Sequence, residues 1–167
     1  MPDPLSMLCA IALVGGLAGT GDASSVTRHA SALGVSFELP ADWIEVAADG
    51  AGIQRFYPPL CAADDAPVVG CPVFLVLQRL ALEAPLDAEA LSTRRAREQA
   101  RVLRPRASGR HAGSAPGSVW RESDYHLGLI EMRLETTTLT AGSQAWELIG
   151  WASPGFADEY AARFRAS

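Results

Sequence analysis

Residues Val119 to Trp151 read VWRESDYHLGLIEMRLETTTLTAGSQAWELIGW, and their alternation decides the architecture. Ile130, Met132 and Leu134 fall on one side of an extended chain, with Glu131, Arg133 and Glu135 on the other. That period of two is the mark of a half-buried strand. Gly128 breaks the run, and Ala141-Gly142-Ser143 supplies the chemistry of a turn. The stretch divides into three strands in meander order, Val119–Leu127, Leu129–Thr140 and Gln144–Trp151.

Downstream, Ser153-Pro154 opens a C-terminal helix, with Ser as N-cap and Pro at the first helical position. Phe156, Tyr160 and Phe164 recur at i, i+4 and i+8, one apolar stripe that docks on the sheet. Upstream, Asp87 to Leu103 reads as an amphipathic helix, with Asp87 as N-cap and Glu89 in the first turn. Ala88, Leu91, Ala96, Ala100, Val102 and Leu103 share one half of it. Arg94, Arg97, Arg101 and Arg104 fall within roughly 80° of one another on the other side at 3.6 residues per turn. Arg95 alone projects among the apolar positions, where its stem covers apolar surface and its head pairs with a strand carboxylate such as Glu131. Pro105 ends the helix, and Arg106 to Gly117 (RASGRHAGSAPG) reads as a loop.

Further upstream, Val73 to Leu80 is a continuous β-rich run suited to a central strand covered on both faces. Ile53 to Tyr57 is a short strand stopped by Pro58-Pro59. Val35 to Leu39 alternates apolar and polar, and a turn at Pro40-Ala41-Asp42 leads to extended chain over Trp43–Val46. Residues 24–34 read as a polar linker. These elements form one α+β domain over 35–167, a mostly antiparallel sheet flanked by helices.

The chain has 167 residues, 49% of them hydrophobic and 20% charged, which suits one core and excludes wholesale disorder. Its 14 basic and 19 acidic side chains leave a net charge of −5, against a nucleic-acid binder that works by bulk charge. Lysine and asparagine are absent, so a Schiff-base lysine, a phosphate-loop lysine and an N-glycosylation acceptor are impossible.

Met7 to Gly19 is a run of thirteen residues without a charge, too short for a spanning helix and of the length of a secretory hydrophobic region. Gly21-Asp22-Ala23 places small residues for cleavage after Ala23, so residues 1–23 read as a signal peptide. The positive flank expected before such a region is missing, and a retained N-terminal helix is the alternative. After processing no transmembrane span is expected, and the location is extracytoplasmic, periplasmic or secreted. Removal of Cys9 with the signal leaves Cys61 and Cys71 around the loop CAADDAPVVGC. In an oxidising compartment they form a disulfide; free thiols, or a metal clip with Asp64 or Asp65, are the other readings.

Catalytic signals are sparse. His29, His111 and His126 lie far apart without metal-ligand spacing, and no Gly-x-Ser-x-Gly elbow is present. Asp124 and His126 share a strand face at i, i+2, which suits either a carboxylate-supported base or an ordinary surface histidine. Ser114 and Ser118 lie near His111 in a connector. Half of all arginines fall between positions 94 and 110, with Glu98 the only acid among them. Guanidinium forks match oxyanions, so Arg94, Arg97, Arg101 and Arg104 are the candidate binding residues; the alternative is a solvated helix face. Trp43, Trp120, Trp146 and Trp151 either line a cleft or pack in the core; the odd separation of Trp146 and Trp151 puts them on opposite faces unless a bulge intervenes.

Phe37-x-x-Pro40-x-x-Trp43 followed by a helix, a three-strand meander and a Ser-Pro helix with aromatic anchors resembles a known family. It is similar to the α/β/α sandwich of the PsbP extrinsic protein of photosystem II, the yeast Ran-release factor and bacterial DcrB-like domains. The resemblance covers about Val35 to Ser167. It implies a binding or assembly protein rather than an enzyme, and carries over no photosystem, Ran or metal-site residue. The reading is an exported, non-enzymatic binding or assembly module of the bacterial cell envelope, with no cofactor or metal. Its partner is an unidentified protein or anionic envelope component. The alternatives are a small hydrolase using His126 and Asp124, and an intracellular chaperone-like member of the same fold that retains residues 1–23 and keeps Cys61 and Cys71 reduced.

Overall fold

The computed structural model describes residues 26–46, 52–63, 66–67, 71–103, 105–113, 115–127, 130–153 and 156. The chain runs β1 (Val26–Ala30), β2 (Ser36–Pro40), β3 (Ile44–Val46), β4 (Ile53–Tyr57), β5 (Ala62–Ala63), β6 (Ala66–Pro67), β7 (Val73–Ala81), α1 (Ala88–Val102), β8 (Pro105–Ala112), β9 (Val119–Leu127), β10 (Ile130–Ala141) and β11 (Gln144–Ala152).

The meander is present as read. β9, β10 and β11 pair antiparallel along their lengths, with Leu134 opposite Ser123 on one side and Trp151 on the other. The pairing of Ala141 with Gln144 leaves a two-residue turn, and Gly142 takes it at φ 60°, where a side chain would be strained. The meander is part of a seven-stranded sheet of order β3-β4-β7-β11-β10-β9-β8, every neighbouring pair antiparallel. β11, the last of the described strands, lies in the middle, between β7 and β10.

Two stretches depart from expectation. The loop read over Arg106 to Gly117 holds β8, an edge strand paired to β9 with a register irregularity between Pro105 and Ala107. An edge strand buries no continuous face, so its Ser, Gly and Arg content resembles that of a loop, and a proline, an irregularity and charge discourage pairing with other chains. The linker read over 24–34 holds β1, antiparallel to β2 from Val26–Pro40 to Ala30–Ser36.

The hairpin β1–β2 covers one sheet face. Leu33, Val35, Phe37 and Leu39 are buried in one cluster with Phe56, Leu75, Leu77, Leu139 and Leu148. Phe37 and Phe56 meet edge to face with centroids 5.4 Å apart, and the Trp146 indole donates to the Leu33 carbonyl at 2.8 Å. On the other face lies α1, over β9 and β10. Under it Tyr125, Leu134 and Ile149 form a second, smaller cluster with Val76, Leu103 and Trp151. The central-strand reading of β7 holds, since Val73, Leu75 and Leu77 are buried on one face while Phe74 and Val76 are half-buried on the other. The C-terminal helix expected from Ser153-Pro154 lies outside the described residues except at Phe156, which packs against the larger cluster. The described body is thus a mostly antiparallel sheet with one helix, its second face covered by a hairpin.

Cys61 and Cys71 are joined by a disulfide with Cα atoms 5.4 Å apart, in place of free thiols or a metal clip. It staples the β4–β7 connection to the buried end of the core, where Cys61 is 1% exposed. Replacing both cysteines with serine is expected to lower stability by about 2.5–3 kcal/mol, the loop-closure entropy of an eleven-residue ring. Denaturant unfolding of the oxidised protein and the double variant checks it; equal midpoints would show that the loop is held by other contacts.

Candidate functional site

The helix forms where its caps predict. Asp87 accepts from the Ala90 amide at 2.7 Å, and the Leu103 amide returns to the Gln99 carbonyl at 2.7 Å. Ala88, Leu91 and Ser92 are buried against the sheet. Val102, placed with the apolar face by periodicity, is 80% exposed, while its neighbour Leu103 packs on the cluster under the helix. Arg94, Arg97 and Arg101 are exposed on the outward face, as their spacing predicts. Arg104 lies outside the described residues.

Carboxylates divide this basic ridge unevenly. Arg94 reaches Glu98 at 3.9 Å, an exposed pair worth little. Arg110, on β8, is bonded to Glu89 in the first turn of α1. Among the described residues neither Arg97 nor Arg101 has a carboxylate partner. The free cationic surface is therefore narrower than the arginine count implies, and it is centred on Arg97 and Arg101.

Arg95 turns inward as expected, but its partner is Glu147 and not Glu131. Arg95 Nε donates to Glu147 Oε2 at 3.2 Å and its Nη1 to Glu98 Oε2 at 3.2 Å. Glu131 points to the opposite sheet face, where it meets His126 at 3.6 Å. Glu147 is 1% exposed, and Gln78 Nε2 donates to the same Oε2. Arg121 on β9 forms a second clamp, donating to Ser92 Oγ at 2.6 Å and to Thr93 Oγ1 at 2.9 Å. A polar seam thus lies beneath α1. Its signal in the sequence is a single acid, Glu147, inside the apolar strand AWELIGW.

The opposite face of β8–β10 carries a mixed-charge ladder. Arg133 Nε donates to Asp124 Oδ1 at 2.9 Å; that bond raises the guanidinium pKa above its ordinary value, against the opposing pull of burial. Asp124 and His126 share the face predicted for them, but each is engaged elsewhere, Asp124 by Arg133 and His126 by Glu131. Asp124 therefore does not support His126; the carboxylate beside that imidazole is Glu131. His111 packs on Trp120 with ring centroids 4.6 Å apart and approaches Glu122 at 3.6 Å. Gly109 leaves the room for this, since a Cβ there would sit 2.9 Å from Glu122 Oε1. Ser118 is buried and donates to the Ala115 carbonyl at 2.7 Å, closing a turn; Ser114 lies outside the described residues. His29 sits between Phe37 and Phe56, 3.4 Å from Glu45.

The tryptophans do not converge on a groove. Trp43 is buried with the hairpin and Trp146 packs on the same cluster. Trp151 stacks on Phe74 under the helix, on the other face. Among the described residues no group of three His, Cys, Asp or Glu side chains forms a metal-ligand set, and no helix is long and apolar enough to cross a membrane.

No protein-family model and no curated protein matches the chain. Solved structures do. The solution structure of cyanobacterial PsbP from Synechocystis superposes with a TM-score of 0.55 at 15% identity, over 90% of this chain and 93% of that one. A protein of unknown function from Pseudomonas aeruginosa aligns at 16% identity and a TM-score of 0.47, over 84% and 91% of the two chains. A Bacteroides thetaiotaomicron protein aligns at 16% identity and 0.44, over 77% and 42%. The fold is PsbP-like, in agreement with the resemblance carried by Phe37, Pro40 and Trp43.

Arg95→Met is expected to destabilise the protein by about 2–4 kcal/mol, somewhat less than the loss of one partner of a fully buried pair because Arg95 is partly solvated. Arg95→Met combined with Glu147→Gln is expected to recover most of that loss. Chemical denaturation of both variants measures it; equal stability of Arg95→Met and the wild type would show that Glu147 does not need its arginine.

Proposed function

We propose that the chain is an exported, non-enzymatic binding or assembly module of the bacterial cell envelope that meets an anionic partner with the outer face of α1. The observation that carries this reading is the division of arginines on one helix. Arg95 is bound to buried Glu147, while Arg97 and Arg101 stand exposed without a carboxylate among the described residues. The clamps at Arg95 and Arg121 fix the roll of α1, so the outward guanidiniums are presented by a held element. A preorganised cationic face loses little entropy when it meets a surface of opposite charge.

Export is supported by the charge-free run over residues 7–19 and by the Cys61–Cys71 bond, which suits an oxidising compartment.

Two measurements test the reading. The intact mass of natively produced protein, with and without reductant, is expected to give a chain starting near Ser24 and a disulfide mass deficit lost on reduction. A retained N-terminus with two free core thiols would overturn export. For the ridge, Arg94→Glu, Arg97→Glu and Arg101→Glu together are expected to leave the thermal midpoint nearly unchanged. They should weaken binding to phosphatidylglycerol vesicles or to immobilised polyglutamate at low salt about a hundredfold, from roughly 1 kcal/mol per arginine. Unchanged binding to both probes would sink the ridge.

A further inference from the structure

We propose that one water molecule is bound beneath α1, held between Glu147 Oε1 and Thr138 Oγ1, as a fixed part of the helix–sheet seam. Glu147 on β11 and Thr138 on β10 are direct cross-strand partners, and both face the helix. Thr138 is 0% exposed and Glu147 1%. The two oxygens of the Glu147 carboxylate are treated very differently. Oε2 accepts from Gln78 and from Arg95, whereas Oε1 has no donor among the described residues. The hydroxyl of Thr138, its cross-strand partner, is also without a partner among the described residues. Buried polar atoms in native proteins are satisfied by protein or by ordered water, and a carboxylate oxygen is the costliest kind to leave bare. Two such atoms on adjacent residues of one face point to a shared third body.

The space available sets its size. A cavity of about 10 Å³ adjoins both residues, lined also by Arg95, Gln99, Arg121 and Ser123. That volume is about one water-sized sphere, the least that holds a water molecule. A phosphate, an acetate or a sugar hydroxymethyl group does not fit. The local charges exclude small ions as well. An anion would face the Glu147 carboxylate, and a monovalent cation would sit beside the guanidiniums of Arg95 and Arg121. A neutral molecule that both donates and accepts is the chemistry that matches. Water donates one proton to Glu147 Oε1 and exchanges a hydrogen bond with Thr138 Oγ1. The polar side chains of Gln99, Arg121 and Ser123 on the same wall offer the third contact that buried waters ordinarily make. The inference does not depend on what the outer face of α1 binds.

The test is a high-resolution crystal structure of the wild-type protein, with oxygen-17 relaxation dispersion of the wild type, Thr138→Val and Thr138→Ser in solution. The expected result is a well-ordered water within hydrogen-bond distance of Glu147 Oε1 and Thr138 Oγ1. The dispersion amplitude should fall by one long-lived water in Thr138→Val and hold in Thr138→Ser. A dry cavity, a direct Thr138–Glu147 bond in place of the water, or equal dispersion in wild type and Thr138→Val would overturn the proposal. If Thr138→Val does not fold, the wild-type density decides alone.

Discussion

A carboxylate taken out of water in the middle of β11 constrains much of what surrounds it. Glu147 cannot sit at 1% exposure as a bare charge, because the loss of its hydration shell would cost far more than any packing gain around it. Its oxygens must be met from fixed directions. Gln78 meets one of them from β7, within the sheet, and Arg95 meets it from the helix above. The second contact determines where α1 lies and how it is rolled. Once Arg95 points down, the spacing of the helix turns Arg94, Arg97 and Arg101 outward. The inner lock and the outer ridge are therefore two consequences of one buried acid.

The two faces of the sheet are covered by different physics. On the hairpin side the contacts are apolar and aromatic, from Phe37, Phe56, Leu75, Leu77 and Leu148, and they hold by area removed from water. On the helix side the apolar cluster is small, and directional bonds to Glu147, Ser92 and Thr93 supply the fit. Apolar contact tolerates sliding; a charge-assisted hydrogen bond does not. The helix is accordingly held by directional bonds and the hairpin by apolar area.

How much of this was legible follows from range. The meander could be read because its signal is local: alternation at Met132 and Leu134 and the turn at Gly142 lie within the strands they define. The helix could be read from Asp87 and its periodicity. The edge strand β8 could not, because a strand without a continuous buried face lacks the period that marks strands. The first strand, at Val26–Ala30, was hidden by a composition suited to a linker. Residue pairs distant in the chain were the least accessible. Arg95 was correctly turned inward, yet the choice between Glu131 and Glu147 depends on which strand face meets the helix. The Arg110–Glu89 bond is hidden for the same reason, since its two members lie 21 residues apart on a strand and a helix. The Asp124–His126 pair was placed on the right face, but Arg133 and Glu131, one strand away, claimed its two members.

The position of β11 bears on how such a chain can be made. Strands β3, β4 and β7 leave the ribosome early and form one half-sheet; β8, β9 and β10 form another later, and only the last strand joins them. Until Gln144–Ala152 has been synthesised, β7 and β10 each present an unpaired backbone edge on that side. Unpaired edges of that kind invite association with other chains. The sheet cannot be completed by the strands that precede β11, so its two halves stay unjoined until Gln144–Ala152 is present. Sheet closure is therefore a contact between segments far apart in the chain, and it sets the slow, non-local step of folding.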